Sequence, residues 1–350
     1  NNLGEYLTPS VVGIDEDGEM LVGRTAKERL ISHPESTVAS FKRFMGTEKT
    51  FMLGNRRFTA ADLSSMVLRQ LKEDAEKYLG EPVEEAVISV PAYFNDFQRN
   101  ATKMAGELAG LTVERLVNEP SAAYRFGKTK EDQTFLVFDF GGGTLDISIV
   151  DAFDSVIEIV AVAGDNHLGG DDVNRAIAEK FLSVNQIDEG KITNEERASL
   201  IRESEKLKRT LTDAPEGEME VVIGGQIYQM KLDAKGLLEV SAKLLEGIGI
   251  PLKRAMNDSG YGWEDIDEII MIGGSGKMKI VQNYLQFLSG KRPRCEIDPD
   301  VAVAVGAGMY AGIKERQQAV RDVLLTDICP FTLGDHSRGS ERTGDHVSDH

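Results

Sequence analysis

The chain has 350 residues, 41% of them hydrophobic, and a formal charge of −18 from 58 acidic against 40 basic side chains. At roughly 150 residues per domain, this length favours about two domains. The acidic balance argues against nucleic-acid and anionic-membrane partners, which need a basic face, and no segment reaches the ~18 consecutive apolar residues of a membrane span. Cys295 and Cys329 lie far apart in sequence, which excludes a disulfide framework and indicates a reducing, cytoplasmic compartment.

Strand and helix patterns alternate along the chain. The first half predicts, in order, a helix over 60–80, a buried strand in "EEAVISVPAYF", a helix capped by Asn95 or Asp96, a strand ending at Glu119–Pro120, and a helix starting in "SAAYRFG". The second half predicts a hairpin over 137–150, the strand "SVIEIVAVAG", the helices "DDVNRAIAEKFLSV" and "NEERASLIRESEKLKRTLT", a hairpin turning at Gly224–Gly225, the helix "SAKLLEGIGIPLKRAMNDSG", the strand "IDEIIMIGGSG" and the segment "PDVAVAVGAGMYAGIKERQ". This alternation predicts an α/β fold with mixed sheets.

The segment "VFDFGGGTLDISIV", residues 137–150, carries the strongest chemical signal. Three glycines, Gly141 to Gly143, stand between two strand-like runs, although glycine weakens a strand. Backbone N–H groups in a tight glycine turn can converge on an anion, and Thr144 adds a hydroxyl donor. Asp139 could hold a divalent cation through water, and Asp146 lies on the same strand face as Thr144. The pattern favours a nucleotide phosphate with Mg²⁺ over a glycine turn without a ligand.

Three familiar glycine motifs do not fit this segment. A P-loop requires Gly-Lys-Ser/Thr, which is absent here, and a Rossmann fingerprint places its glycines before a helix rather than a strand. Asp139-Phe140-Gly141 also spells the kinase triplet, but no His-Arg-Asp loop precedes it. A strand–GGGT–strand hairpin remains, which is typical of the phosphate hairpin of actin-like ATPases.

Several ordered motifs make the resemblance specific. The segments "ISVPAYFNDFQRNATKMAGELAGL", "RLVNEPSAA", "MIGGSGKMKIVQNYL" and "DPDVAVAVGAGMYAG" resemble signatures of the nucleotide-binding domain of seventy-kilodalton heat-shock chaperones, the DnaK-type ATPases. The resemblance covers about residues 4–334. Four further segments resemble the bacterial HscC branch: "GEYLTPS", "SHPEST", "FKRFMG" and "LTDICPFTLG".

The resemblance implies which residues act on ATP, ADP and Mg²⁺, with K⁺ as a further candidate ion. Lys42, in "FKRFMG", matches the lysine that orients the attacking water and stabilises charge on the γ-phosphate. Glu119, in "NEPS", matches the acid near that water, and Asp139 matches the aspartate that holds Mg²⁺ through water. The positions that match the phosphate turn and its neighbour are Gly141, Gly142, Gly143, Thr144 and Asp146.

A second set of residues is implied for ribose and adenine. Within "ExxKRTLT", the spacing i, i+3, i+4 and i+7 places four residues on one helix face, which would otherwise be a salt-bridged surface: Glu205, Lys208, Arg209 and Thr212. The rest of the adenosine pocket matches Gly273, Gly274, Ser275, Lys277 and Asp300. Lys277 stands where the family commonly has an arginine that stacks on adenine. Lysine lacks the planar guanidinium, so we expect lower nucleotide affinity.

The front of the chain departs from the family pattern. The family opens with a first phosphate hairpin, Gly-Ile-Asp-Leu-Gly-Thr-Thr, and these 350 residues contain no such segment. Gly13-Ile14-Asp15 resembles it only superficially, because it follows "TPSVV", where the family has an ordinary strand. We expect truncation rather than evolutionary loss. A true loss would argue against hydrolysis of Mg·ATP.

The resemblance also implies a domain organisation. The fold would be an actin-like (ribonuclease H-like) ATPase with two α/β lobes, each with a core and a peripheral subdomain, around a nucleotide cleft. The implied boundaries are lobe I at 1–127 (peripheral subdomain about 8–80) rejoined by 297–320, lobe II at 128–296 (peripheral subdomain about 176–250), an interdomain linker and first strand of a peptide-binding domain at 321–334, and a flexible tail at 335–350.

The implied function is the ATPase engine of a chaperone. Val323, Leu324 and Leu325 match a linker that responds to nucleotide, although a short strand completing the local fold would also account for them. Pro91 and Arg99 match positions that relay this coupling. The implied partners are unfolded peptide, bound by a further C-terminal domain, a J-domain co-chaperone and an exchange factor. Two alternatives stay open: a regulatory nucleotide-binding module without turnover, and a small-molecule kinase of the same superfamily, against which the apolar linker argues.

Overall fold

A computed structural model describes residues 1, 4–123, 132–153, 156–294, 301–314 and 324–326. Helices and strands alternate, and the strands form five sheets with both parallel and antiparallel pairs. The sequence prediction of an α/β fold with mixed sheets is therefore confirmed. In the part of the chain that the structure describes, no helix is long and apolar enough to cross a membrane.

The first 80 residues build two small sheets and two helices. Strands β1 (Val11–Ile14), β2 (Met20–Val22) and β3 (Thr37–Ala39) form an antiparallel sheet with β1 in the centre. Gly13 and Ile14 therefore lie in an ordinary strand, and Asp15 directly follows it. The other elements are α1 (Arg24–Ser32), the hairpin of β4 (Thr50–Leu53) and β5 (Arg56–Thr59), and α2 (Ala60–Leu79). A capping box between Thr59 and Asp62 opens α2, and Gly80, at φ 76°, ends it.

A parallel strand pair follows. Strands β6 (Glu85–Val90) and β7 (Thr112–Asn118) flank the helix α3 (Asp96–Leu108), which Asn95 rather than Asp96 caps. The prediction that β7 ends at Glu119–Pro120 is wrong, because this strand ends at Asn118 and α4 (Glu119–Ala123) begins at the next residue. Proline fits a first helical turn, where its missing N–H needs no partner. This places the Glu119 carboxylate at a helix N-terminus.

The largest sheet has five strands in the order β13–β8–β9–β10–β14. The predicted hairpin is confirmed as β8 (Gln133–Phe140) and β9 (Leu145–Phe153), and β10 (Val156–Asp165) continues it antiparallel. The edge strands β13 (Glu268–Ile272) and β14 (Leu324–Thr326) run parallel to their neighbours. Phe138, Phe140 and Leu145 are fully buried on both sides of the glycine turn, so that turn projects from a packed sheet.

Helices and a second hairpin complete the fold. The elements are α5 (Gly170–Val184), α6 (Asn194–Asp213), the hairpin of β11 (Glu216–Ile223) and β12 (Gln226–Asp233), α7 (Ala234–Ser259), α8 (Lys279–Ser289) and α9 (Ala302–Lys314). Helices α5 and α7 share one hydrophobic core with the large sheet, whereas α9 packs on α4 and β6. Helix α7 begins seven residues earlier than predicted, because Asp233 caps it by accepting from the Gly236 N–H at 2.7 Å.

Candidate functional site

The glycine turn is held by backbone hydrogen bonds on two sides. The Gly141 N–H donates to the Thr144 carbonyl at 3.0 Å and closes the hairpin. The first N–H groups of α5 reach the turn as well, from Gly170 to the Gly141 carbonyl at 3.0 Å and from Asp171 to the Gly142 carbonyl at 2.8 Å. The turn is therefore fixed by the end of the sheet and by the start of a helix.

Gly169 is what allows this close approach. A Cβ atom at this position would lie 2.4 Å from the Gly142 carbonyl oxygen and 2.6 Å from the Gly143 nitrogen, closer than real Cβ contacts. Sequence reasoning did not single out Gly169, although a signal was present. The pair Gly169–Gly170 stands directly before two aspartates at the predicted start of a helix, and glycine at such a place allows another backbone to approach closely.

Lys42 and Glu119 meet beside the turn. Lys42 lies in a short 3₁₀ segment, Phe41–Phe44, and its Nζ donates to Glu119 Oε1 at 3.0 Å. The Glu119 residue is only 8% exposed, and the ammonium also lies 5.8 Å from the centre of the Phe94 ring. Two residues 77 positions apart in sequence thus form one ion pair that faces the phosphate turn.

The ion pair belongs to a larger group of charges. Asp139 and Asp146 are register partners across the hairpin. Burial, with the neighbouring carboxylates of Glu119 and Asp146, raises the pKa of Asp139 well above its ordinary value. Burial, and then Glu119, raises the pKa of Asp146 to about 7. Burial lowers the pKa of Lys42, but the three carboxylates outweigh it, so the net shift of that pKa is upward. The cluster favours a positive group at this place.

A cavity of about 290 Å³ joins these residues. Its lining includes many of the predicted site residues: Lys42, Glu119, Asp139, Gly141, Gly142, Gly143, Thr144 and Gly273. Asp146 does not line this cavity and is only 3% exposed, so its predicted part in binding the ligand stays a prediction. Among the described residues, its Oδ1 atom has no hydrogen-bond partner. The cavity combines a cation, a glycine turn and carboxylates.

The residues predicted for adenosine lie on α6, and their side chains are engaged with other protein groups. Lys208 is 8% exposed and donates to the Gly170 carbonyl at 2.9 Å, and burial lowers its pKa. Glu205 pairs with Arg209 at 3.0 Å and with Lys27 at 3.5 Å. Thr212 donates to the carbonyl of Lys208 at 3.4 Å. The ion pairs agree with the salt-bridged surface expected from the spacing alone, and the contact of this face with ribose and adenine stays a prediction.

Of the predicted residues that directly follow β13 in the described part of the chain, Gly273 lines the cavity at the glycine turn, whereas Gly274, Ser275 and Lys277 do not. Gly273 has φ 76°, and a Cβ atom there would lie 2.6 Å from the Phe140 carbonyl oxygen, so the position requires glycine. Gly274, Ser275 and Lys277 continue in a 3₁₀ turn, Gly274–Lys277. A second cavity, of about 310 Å³, lies between this segment and the end of α6, and Thr212 and Met278 line it. Asp300 lies outside the described residues.

This geometry agrees with the comparison to known proteins. The family model described as "Hsp70 protein" matches residues 1–55 and 47–346. The chain belongs to the Hsp70 family. It is 40% identical over 358 residues to "Chaperone protein DnaK" of Thermotoga neapolitana, a match that covers 97% of this chain and 59% of that protein. The chain therefore spans about three fifths of the length of the curated relative that it matches.

Hsp70 membership implies the actin-like ATPase fold. The residues predicted to relay the response to nucleotide, Pro91 and Arg99, lie on one segment after β6. Pro91 is buried, and its carbonyl accepts from the Phe94 N–H at 3.1 Å. The Arg99 guanidinium donates to the Phe94 carbonyl at 2.9 Å and to the Asn118 side chain at 2.6 Å. Arg99 thus joins the segment after β6 to the residue that precedes Glu119.

The predicted linker residues are placed only in part. Leu324 and Leu325 lie in β14, in parallel register with Val156 and Ile157 of β10. Val323 lies outside the described residues. A strand at this edge is expected both from a docked linker and from a segment that completes the local fold, so the two interpretations stay open at this point.

The sequence analysis did not predict the contacts that join Ser40 and Arg43 to α5. Ser40 has a left-handed backbone, φ 56°, and its hydroxyl donates to Asp171 Oδ2 at 2.8 Å. Arg43 donates from its NH2 group to Asp172 Oδ2 at 3.3 Å. These pairs are 131 and 129 residues apart in sequence, so no local pattern could find them. They attach the segment that carries Lys42 to the helix that holds the glycine turn.

Proposed function

We propose that this chain is the ATP-binding and ATP-hydrolysing part of a DnaK-type chaperone. The observation that carries the proposal is the Lys42–Glu119 pair, which faces the Gly141–Thr144 turn across one cavity. A glycine turn suits phosphate, and a cation beside it suits the negative charge of a nucleotide. The resemblance of these motifs to those of DnaK-type proteins supports this function.

The residues suggest how hydrolysis would proceed. Water attacks the γ-phosphorus in line while the bond to the leaving ADP oxygen breaks, so positioning and charge stabilisation carry most of the catalysis. Lys42 would stabilise charge on the γ-phosphate and orient the water, and Glu119 would hold Lys42 and accept a hydrogen bond from that water. The turn would hold the phosphate chain, since its geometry is already fixed by α5 and the sheet.

The donor set fits a hydrated Mg²⁺ better than a directly bound ion. Among the residues that the structure describes, no group of three or more His, Cys, Asp and Glu side chains is arranged to hold a metal. Asp139 and Asp146 nevertheless supply buried carboxylates, one of them with an unpartnered oxygen. Mg²⁺ keeps several waters and binds phosphates, so Asp139 would hold it through water. When bound, Mg²⁺ would neutralise developing charge on the phosphates. K⁺ remains a weaker candidate for the same carboxylates.

The larger assembly is part of the proposal. Two lobes, with the boundaries that the resemblance implies, would close on the nucleotide, and the linker, together with Pro91 and Arg99, would transmit closure to a peptide-binding domain. Unfolded peptide, a J-domain co-chaperone and an exchange factor would be the partners. "GEYLTPS" and "LTDICPFTLG" support an HscC-like branch within the family.

Single-turnover hydrolysis of ATP by the full-length protein tests the proposal. For Lys42→Ala and Lys42→Met we expect losses on the order of 10² or more, because each removes a charge contact at the γ-phosphate. Lys49→Ala is the matched control, since Lys49 is exposed and contacts the ring of Phe44 rather than the cavity. Lys42 variants with rates within about twofold of the parent would remove Lys42 from the mechanism.

The same assay separates the alternatives. A parent protein that binds ATP tightly but releases no phosphate would be a regulatory nucleotide-binding module. A parent that transfers the phosphate to a small hydroxylated molecule would be a kinase. Release of free phosphate that depends on Lys42 supports the chaperone ATPase.

A further inference from the structure

Arg43 follows Lys42 in sequence and lines the same cavity. Its side chain is only 10% exposed, so its charge is buried at the cleft. One end of the guanidinium donates to Asp172, on the first turn of α5. Asp172 is itself fixed, because the same carboxylate oxygen accepts from the Gly169 N–H at 2.7 Å. One end of Arg43 is therefore anchored to the helix that holds the glycine turn.

The other side of the guanidinium lacks an acceptor. The Arg43 Nε atom is buried and, within the described part of the chain, has no hydrogen-bond partner. The group lies against Gly143, since a Cβ atom at that position would be 2.7 Å from Nε and 3.5 Å from Cζ. A buried donor without an acceptor is unfavourable, and more so when it is charged. The unpartnered Nε of Arg43 thus lies against the turn at which a phosphate is expected, and the residue lines the cavity beside that turn.

We propose that Arg43 is a phosphate-contacting residue of this site. Its guanidinium donates to a phosphate oxygen of a nucleoside di- or triphosphate on the Gly141–Thr144 turn, while Asp172 holds its other end. The planar fork of arginine suits this geometry, because it can bond two acceptors at once. The inference rests on the proposed function, and it adds a second cation beside Lys42 that also joins the two sides of the cleft.

Calorimetric titration of the full-length protein with ADP and with adenosine tests it. For Arg43→Gln we expect ADP to bind about tenfold or more weakly, the scale of one lost hydrogen bond to a charged group. Adenosine has no phosphate, so its affinity should stay within about twofold of the parent's. Arg175→Gln is the matched control: Arg175 pairs with the same aspartate but is exposed and lies away from the cavity, and we expect it to bind both ligands as the parent does.

Further results decide between a phosphate contact and a structural tie. An equal loss of ADP and adenosine affinity in Arg43→Gln would overturn the inference, because a residue that only joins the lobes affects both ligands. Parent-like ADP affinity would overturn it as well. If the glutamine variant does not fold, Arg43→Lys gives the answer: it keeps the charge but not the fork, so ADP alone should bind several-fold more weakly. A parent protein that bound neither ligand would overturn the proposed function itself.

Discussion

Two regions of the candidate site, the predicted phosphate side around the glycine turn and the predicted adenosine side on α6, are built differently. On the phosphate side, backbone N–H groups of Gly170 and Asp171 hold the glycine turn at 3.0 and 2.8 Å. On the adenosine side, ion pairs and hydrogen bonds occupy the side chains of Glu205 and Lys208. Backbone contacts need no rearrangement when a ligand arrives, whereas engaged side chains must exchange partners. We therefore expect the backbone of the phosphate side to be in place before a ligand binds, and the side chains of the adenosine side to rearrange when it binds.

The largest expected effect comes from breaking the phosphate side through Gly169. Because a Cβ atom would lie 2.4 Å from the Gly142 carbonyl oxygen, Gly169→Ala should push α5 away from the turn. A displacement of about 1 Å can cost on the order of 10²-fold in rate, and we expect a loss of that size in single-turnover hydrolysis. Gly190→Ala is the control, since a Cβ atom there meets only ordinary contacts. A Gly169→Ala variant as active as this control would show that the turn does not depend on α5.

A smaller effect is expected if β14 is the predicted linker that responds to nucleotide. In the full-length protein, we expect the Leu324–Leu325 bond to resist protease with ATP and to be cleaved with ADP. Leu324→Asp with Leu325→Asp should abolish the protection and any linker-dependent stimulation, which in coupled systems is roughly 5–150-fold. Val222→Asp with Ile227→Asp, on the exposed hairpin of β11 and β12, is the matched control. Cleavage that ignores nucleotide, with unchanged hydrolysis in the double variant, would make the segment a passive connector.

Local features of the fold and the site could be predicted from the sequence, whereas long-range contacts could not. The glycine turn was predictable because three glycines between two strands weaken both strands unless the turn binds something, and the capped start of α3 follows from Asn95. The strand pattern before Glu119 predicts that this strand ends at Glu119–Pro120, although the proline also fits a helix start. Arg43 could not be found, since its partner lies 129 residues away and only folding brings them together. Asp300 and Val323 lie outside the described residues.

The pH dependence of stability sharpens the description of the phosphate side. Because the pKa of Asp146 is raised to about 7, its contribution is fully present below the unfolded value and is lost as the pH rises through about 7. We therefore expect the thermal midpoint of the nucleotide-free protein to fall between about pH 4 and pH 7, which are the ordinary and the raised pKa of this carboxyl. Asp146→Asn cannot ionise and should make this slope less steep, while Asp139, whose pKa is also raised, keeps part of it. A slope that is equally steep in the variant would mean that Asp146 does not contribute to it.

The smallest effect is expected on the adenosine side. If Lys277 stands over adenine, Lys277→Arg should tighten ADP binding by ~0.5–1 kcal/mol, the scale of an exposed cation–π contact. Calorimetric titration of ADP measures this change, and Lys253→Arg, on the exposed face of α7, controls for the added guanidinium. Equal or weaker binding by Lys277→Arg would show that position 277 does not stack on the base.

The Lys42–Glu119 pair is central to the proposed mechanism, and a double-mutant cycle tests it most directly. Single-turnover hydrolysis would be measured for the full-length parent, Lys42→Ala, Glu119→Gln and the double variant. If the two residues act as one unit at the γ-phosphate, each single variant loses on the order of 10² or more, and the double variant loses little beyond the worse single one. Losses that multiply in the double variant, or single variants that hydrolyse ATP like the parent, would contradict this.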